Sequence, residues 1–369
     1  MDFDLDESQS DLRAAAAGLL DRLAADPHGA LPPDTPYDVA AWKAMAQAGL
    51  LGACLPADAG GAGLGPVGLA VLLREVGRHV TAVPAFATLA LGAFPLARHG
   101  TRAQREMLSA VADGELVLTA AVREPGNLGR PGTVALRRGN GYVLEGVKTA
   151  VPYAREASVV LVPATVPGTG VGVFLVSPAA DGVSQHVHPT ATGESASRIG
   201  LGAVQVGADA LLGGRADGVA AADLDRYVVA GAVATVSGVL AGATALTAAH
   251  VKAREQFGRP LAEFQAVTMQ IADVYIAGRA LDVAMWAACW RLAGAESGHD
   301  TDEALAVAGW HVAGPALRAL YTCQHLHGGL GLDVTYPLHR YFAWAMRYAH
   351  LLGGEEAQLA VLGDLLAGG

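Results

Sequence analysis

The period of the hydrophobic pattern changes twice along this chain, and that change limits the fold more than any other feature. Over the first 116 residues apolar positions recur at helical spacing, punctuated by Gly and Pro. Ser10-Asp11 opens the run DLRAAAAGLLDRLAA, and WKAMAQAGLLGACLP follows. A Gly/Pro loop from Asp58 to Pro66 then leads into PVGLAVLLREVGR. From about Leu116 to Leu212 the period is two, in short β-branched runs such as ELVLTAAV, ASVVLVPA, GVGVFLVS and RIGLGAVQV. Gly139-Asn140-Gly141 separates two of these runs and is a strong hairpin signal. From about Ala216 onward, Ala-rich helical patterns return near 222–255, 261–294, 301–327 and 337–350, with a shorter one after Gly354. The expectation is an α+β chain with an N-terminal helical domain (1–116), a middle β domain of sandwich or barrel type (117–215) and a C-terminal helical domain (216–369).

Composition narrows the function. The net charge of −10 argues against a nucleic-acid partner, because phosphate binding needs a basic face. Charged residues make up only 16% against 52% apolar, so the chain is expected to hide surface in an oligomer. The longest apolar stretch, Val228 to Ala249, is interrupted by Gly231, Thr235, Ser237, Gly238, Gly242, Thr244 and Thr247. It reads as a buried bundle helix, not a membrane span. Three widely spaced cysteines, Cys54, Cys289 and Cys323, fit a reducing compartment and no disulfide framework. The acidic start MDFDLDESQ lacks a basic n-region, so no signal peptide and a cytoplasmic location are expected.

Three blocks carry a resemblance. Arg254-Glu-Gln-Phe-Gly-Arg-Pro-Leu261, with Glu263-Phe264-Gln265-Ala266-Val267 behind it, stands between two long helices. His327-Gly328-Gly329-Leu330-Gly331 is followed by Tyr336-Pro337-Leu338-His339-Arg340. Ala121-Val-Arg-Glu-Pro-Gly126 is followed by Gly141-Tyr-Val-Leu-Glu-Gly-Val-Lys148. In kind and order these resemble the R-x-Q-F-G-x-P, G-G-x-G and T-E-P-G … G-x-K blocks of the acyl-CoA dehydrogenase family. The resemblance covers essentially the whole chain and implies that family's fold, with a C-terminal four-helix bundle.

It also implies FAD as cofactor and an acyl-CoA thioester as substrate. Arg254 would offer a bidentate fork to the diphosphate, with Phe257 packing nearby. Gly258, Gly328 and Gly329 would let the backbone approach the cofactor, and Gln265 and His325 complete the implied binding set. His325 stands where most relatives place a Gln. Taken alone, Arg254-Phe257-Gly258 also reads as an ordinary helix C-terminus, stopped by Gly and Pro. The pairs His325/His327 and His186/His188 have the H-x-H spacing of zinc ligands, but no third ligand is evident, and no metal is expected.

The family's desaturation needs a carboxylate base at one of two positions, and neither holds one here. The first, about fifteen residues after Pro337, is Leu352; the second, about 26 before Arg254, is Val228. Asp225, one turn from Val228, is the remaining candidate base, with stabilisation of its own helix N-terminus as the plainer role. Glu355 and Glu356 read as solvated. The flavin-edge W-x-T of the family is replaced by Ala150-Val151-Pro152, and the Thr of T-E-P-G by Arg123. The pattern is similar to the base-lacking subunit of heteromeric acyl-CoA dehydrogenases such as those of steroid side-chain degradation. Such a subunit completes the cofactor site of a homologous partner that carries the catalytic Glu, and passes electrons to an electron-transfer flavoprotein or similar acceptor. A self-sufficient homotetramer using Asp225, and a flavin-free acyl-CoA-binding scaffold, are the alternatives. The helix after Pro260, with Met269, Ile271, Val274, Ile276, Leu281, Val283, Met285 and Trp286, is apolar around most of its circumference and calls for a partner surface.

Overall fold

A computed structural model describes residues 4–23, 35–126, 130–294 and 298–367. The last residues of the DLRAAAAGLLDRLAA run and the first three of the acidic start lie outside them. The N-terminal helices are α1 (Glu7–Leu23), α2 (Val39–Gln47), α3 (Leu50–Ala53), α4 (Gly65–Arg78), α5 (Phe94–His99), α6 (Arg102–Arg105) and α7 (Met107–Ala112). A π-helical stretch, Phe86–Ala93, runs into α5. The strands are β1 (Leu118–Ala120), β2 (Val134–Arg138), β3 (Gly141–Pro152), β4 (Val159–Val166), β5 (Gly170–Val176), β6 (Val183–Pro189) and β7 (Ser195–Gly207). The C-terminal helices are α8 (Val219–Ala253), α9 (Gln265–Leu292), α10 (His299–His311), α11 (Leu317–His327), α12 (Leu338–Leu351) and α13 (Glu355–Ala367). Between α8 and α9 lies a small ribbon, β8 (Glu255–Gln256) and β9 (Arg259–Pro260). The order along the chain is helical, then sheet, then helical, as the resemblance implies.

The chain forms two compact units. One takes α1, Pro66–Thr81 and the chain from Val229; the other takes 35–65 and Ala82–Val228. Compactness thus assigns α4 to the C-terminal helices, whereas the sequence grouped it with its neighbours.

In the first unit, α4 and α8 meet backbone to backbone. A Cβ on Gly77 would strike the Thr235 carbonyl, and one on Gly238 the Arg74 carbonyl. Only glycine permits that approach. A buried polar cluster locks the contact: Arg74 Nε donates to Ser237 Oγ at 3.0 Å, and Ser237 Oγ donates to Asp282 Oδ1 of α9 at 2.6 Å. Arg74 Nη2 also reaches Asp282 Oδ2 at 3.2 Å.

In the second unit the seven-stranded sheet runs β1-β4-β2-β3-β7-β6, with β5 on the far side of β4. The hairpin at Gly139-Asn140 closes β2 onto β3 in antiparallel register, with Arg138 opposite Gly141. Tyr142, Leu144, Val160, Val162 and Phe174 fill the sheet's core. β6 has no counterpart among the sequence-expected strands, because its residues lie mostly exposed and leave no buried alternation to read.

Helix α8 is long and apolar enough to cross a membrane, and 78% of its most apolar window is buried in this fold. The three cysteines are free and buried, and burial pushes their thiols up, Cys54 and Cys289 to about 12 and Cys323 to about 11.

Candidate functional site

The C-terminal helices line an open cavity of about 670 Å3. The end of α8 supplies His250 and the residue just past it Arg254, α9 supplies Ala266, Val267 and Gln270, and the α11 C-terminus with the turn after it supplies His325 to Leu330. Of the cofactor residues expected from the sequence, the fold brings together Arg254, His325, Gly328 and Gly329. Arg254 is exposed, and among the described residues no carboxylate pairs with it. Gly328 has φ +60°, and a Cβ on Gly328 or Gly329 would point into open space, as a backbone cradle for a ligand requires.

Three expected residues sit elsewhere. Gln265 opens α9 but is exposed and outside the cavity lining; Gln270, about one turn further on, lines it instead. Phe257 and Gly258 also lie outside the lining. The helix does not simply stop at the glycine: α8 ends at Ala253, and Phe257-Gly258 forms the two-residue tip of the β8–β9 ribbon. Both tip residues have positive φ, +53° and +77°, as the hairpin turns that match strand twist demand. Glycine adopts this freely; a phenylalanine there is strained. Phe257 is 94% exposed, held only edge-on to Phe264, over which Arg259 stacks at 4.1 Å.

The sequence reading missed His250 as a site residue. It stacks on His327 with ring centroids 4.3 Å apart and planes 19° apart. A motif search centred on Arg254 passes over it, although it lies one turn earlier on the same helix face.

The sheet unit holds a different chemistry. Lys148, fully buried, donates to Glu124 Oε1 at 2.6 Å and to the Pro163 carbonyl at 2.7 Å. Burial works to raise the Glu124 carboxyl, but hydrogen bonds from Lys148 and Thr133 and the ammonium charge overcome it and bring it to about 2. Beyond Lys148 the strand bulges, with Ala150 at φ +52° and Tyr153 at φ +51°. Tyr153 then turns inward, its hydroxyl donating to Glu194 Oε1 at 2.6 Å. Thus the run that ends in a flavin-edge Thr in the family here ends in a buried tyrosine–glutamate contact.

At the two base positions, Leu352 caps α12 and is buried, and Val228 is buried on α8. Asp225 has a solvent-reachable side chain, yet protein surrounds it on most sides. That burial pushes its carboxyl up to about 6, against the pull of Lys148 and Arg226. Its neighbour Asp223 is committed instead, accepting from Arg98 at 2.8 Å, His99 at 2.7 Å and Arg226 at 2.7 Å. Glu355 pairs with Arg318 at 3.0 Å and is not simply solvated. The His186/His188 pair lies on β6, and among the described residues no three His, Cys, Asp or Glu side chains cluster as metal ligands would.

Comparison with known proteins identifies the family. Residues 6–115 match the N-terminal domain and residues 224–366 the C-terminal domain of acyl-CoA dehydrogenase. The chain belongs to the acyl-CoA dehydrogenase family. It is 40% identical over 325 residues to the acyl-CoA dehydrogenase FadE28 of Mycobacterium tuberculosis, covering 87% of this chain and 91% of the relative. Among solved structures it resembles the Tcur3481-Tcur3483 steroid acyl-CoA dehydrogenase, with TM-score 0.90, 38% identity and 98% of both chains covered. It also resembles the ChsE4-ChsE5 complex of Mycobacterium tuberculosis, with TM-score 0.92, 31% identity, and 100% of this chain and 99% of that one covered.

Proposed function

We propose that this chain is the base-lacking subunit of a heteromeric, FAD-dependent acyl-CoA dehydrogenase. It would complete a cofactor site for a homologous subunit that carries the catalytic Glu. One contrast carries the reading: the cavity around Arg254, Gly328 and Gly329 is intact, while both base positions hold apolar residues, Leu352 and Val228. Leucine and valine cannot accept the α-proton that desaturation must remove.

FAD, when bound, supplies the acceptor for the hydride that leaves the acyl β-carbon. Toward that group this chain offers the Arg254 fork for the diphosphate, the open backbone at Gly328-Gly329, and His325 on the adenine side. Phe257 would reach the partner subunit. The heteromeric relatives, one of them a steroid enzyme by its description, support a partner of the same fold and a steroid-derived acyl-CoA thioester as substrate. An electron-transfer flavoprotein would take the electrons. The family's three domains would lie at 1–116, 117–215 and 216–369, in a cytoplasmic protein.

Flavin absorbance near 450 nm and acyl-CoA turnover test this, measured on the chain alone and co-expressed with a Glu-bearing homologue. The expected result is flavin and activity with the partner and little turnover without it. A monomer of 37.5 kDa that ignores every homologue and holds no flavin would leave the acyl-CoA-binding scaffold.

The raised carboxyl of Asp225 favours one second reading. A solvent-reachable acid at about 6 suits a general base, and Asp225 would then serve a self-sufficient homotetramer. Robust turnover by the homogeneous chain, abolished by Asp225→Asn with flavin content spared, would establish it.

A further inference from the structure

We propose that His250 is a proton-linked ligand for the anionic part of the nucleotide held in the 670 Å3 cavity, binding it as an imidazolium stacked on the fixed ring of His327. The inference rests on the reading that this cavity receives the diphosphate-bearing half of FAD.

In an acidic protein, this cavity carries the positive charge of Arg254 and no negative charge. Arg254, His250, His325 and His327 line it, and no lining residue carries a carboxylate, although the whole chain has a net charge of −10. An anion is the ligand such a lining selects.

The two stacked rings have different tasks. His327 is buried, with Nδ1 2.8 Å from the Cys323 carbonyl and Nε2 3.2 Å from the Tyr336 hydroxyl. A carbonyl only accepts, so Nδ1 carries the proton; the tyrosine hydroxyl then donates to Nε2. Both nitrogens are satisfied in the neutral tautomer, and His327 is a platform. Among the described residues nothing hydrogen-bonds the His250 ring. Half-buried and held by stacking, it leaves its nitrogens to the cavity.

The electrostatics around the ring point the same way. Burial first, then His327 and Arg254, hold the His250 imidazole below its ordinary value and keep it neutral. A bound diphosphate brings negative charge close and favours the protonated ring. Binding therefore takes up a proton, and affinity rises as pH falls through the bound-state value, levelling below the free-state one. The other groups facing His250 are few. Its own helix offers Arg254 and the exposed Lys252, α11 offers His325 and His327, the segment before α12 offers Tyr336, and α9 offers only the uncharged Gln270. Of these, His325 is the other imidazole with no side-chain hydrogen bond among the described residues, so it needs its own control. The diphosphate of FAD is a diester and does not titrate between pH 5 and 8, so the linked proton belongs to the protein.

The test is FAD binding by the deflavinated assembly, followed by flavin fluorescence from pH 5.5 to 8.0. Calorimetry in two buffers of different ionisation heat counts the protons taken up. The expected Kd rises with pH, at its steepest by up to about tenfold per pH unit for one linked proton. His250→Phe, which keeps the stack, and His250→Gln, which keeps polarity, should flatten the curve; His325→Phe should preserve it. A flat wild-type curve, or a slope that survives both His250 variants, overturns the proposal. If Arg254→Ala still weakens FAD in that case, the cavity reading stands and only His250 falls. If Arg254→Ala changes nothing at any pH, or no assembly binds FAD, the cavity reading falls and the proposal with it.

Discussion

The helices from Val229 onward and the sheet unit treat their family motifs differently. The helices keep the motif residues free: Arg254 without a carboxylate partner, Gly328 and Gly329 with open faces, Phe257 exposed in a strained turn. The sheet uses its motif residues on itself. Glu124 and Lys148 are sealed in a buried pair, and the strand beyond them ends in the Tyr153–Glu194 hydrogen bond. Unpaired polar groups persist where a ligand or partner satisfies them; buried, satisfied groups serve the fold. The difference supports the proposed reading, in which this chain offers a surface for binding and not the base for catalysis.

The largest effect expected from this contrast is in turnover. The purified chain should desaturate acyl-CoA at or near the background rate, and a steady-state assay with an artificial electron acceptor checks it. Strong activity would break the comparison, because the sheet unit, through Asp225, would then be catalytic.

Lys148→Met should be the next largest effect, and it falls on stability. It strands the Glu124 carboxylate in the interior, which costs about 3–5 kcal/mol, read as a lowered midpoint in denaturant. The pH profile gives an independent check. Glu124 is held at about 2, below the about 4.3 of an unfolded glutamate, so its stabilisation is full above that unfolded value. It is lost as pH falls from about 4 toward about 2, and the variant should lose much of this slope.

Arg254→Ala should cost about 1.5–3 kcal/mol in FAD affinity, roughly ten- to a hundredfold, with little change in folding since alanine is a good helix former. Equilibrium dialysis of the flavin measures it. The smallest effect is expected from Tyr153→Phe, which removes one buried hydrogen bond worth about 1 kcal/mol. Its flavin content should not change; if it does, the sheet's inward-turned tyrosine belongs to the cofactor site after all.

The sequence by itself determined the order of helix, sheet and helix, the β2–β3 hairpin at Gly139-Asn140, and the blocks around Arg254, Gly328 and Glu124. These are legible because period, turn residues and motif spacing are properties of a short stretch of backbone. It also showed that Leu352 and Val228 cannot be bases, since that follows from the side chain alone. The tertiary structure decided what depends on distant neighbours. β6 was silent because its side chains face solvent, and Gln265 gave its place in the cavity wall to Gln270. Packing raised the Asp225 carboxyl and stacked His250 on His327, two residues on different helices. A pKa or a ring stack is set by what packing brings within a few ångströms, and no local pattern records which residue that will be.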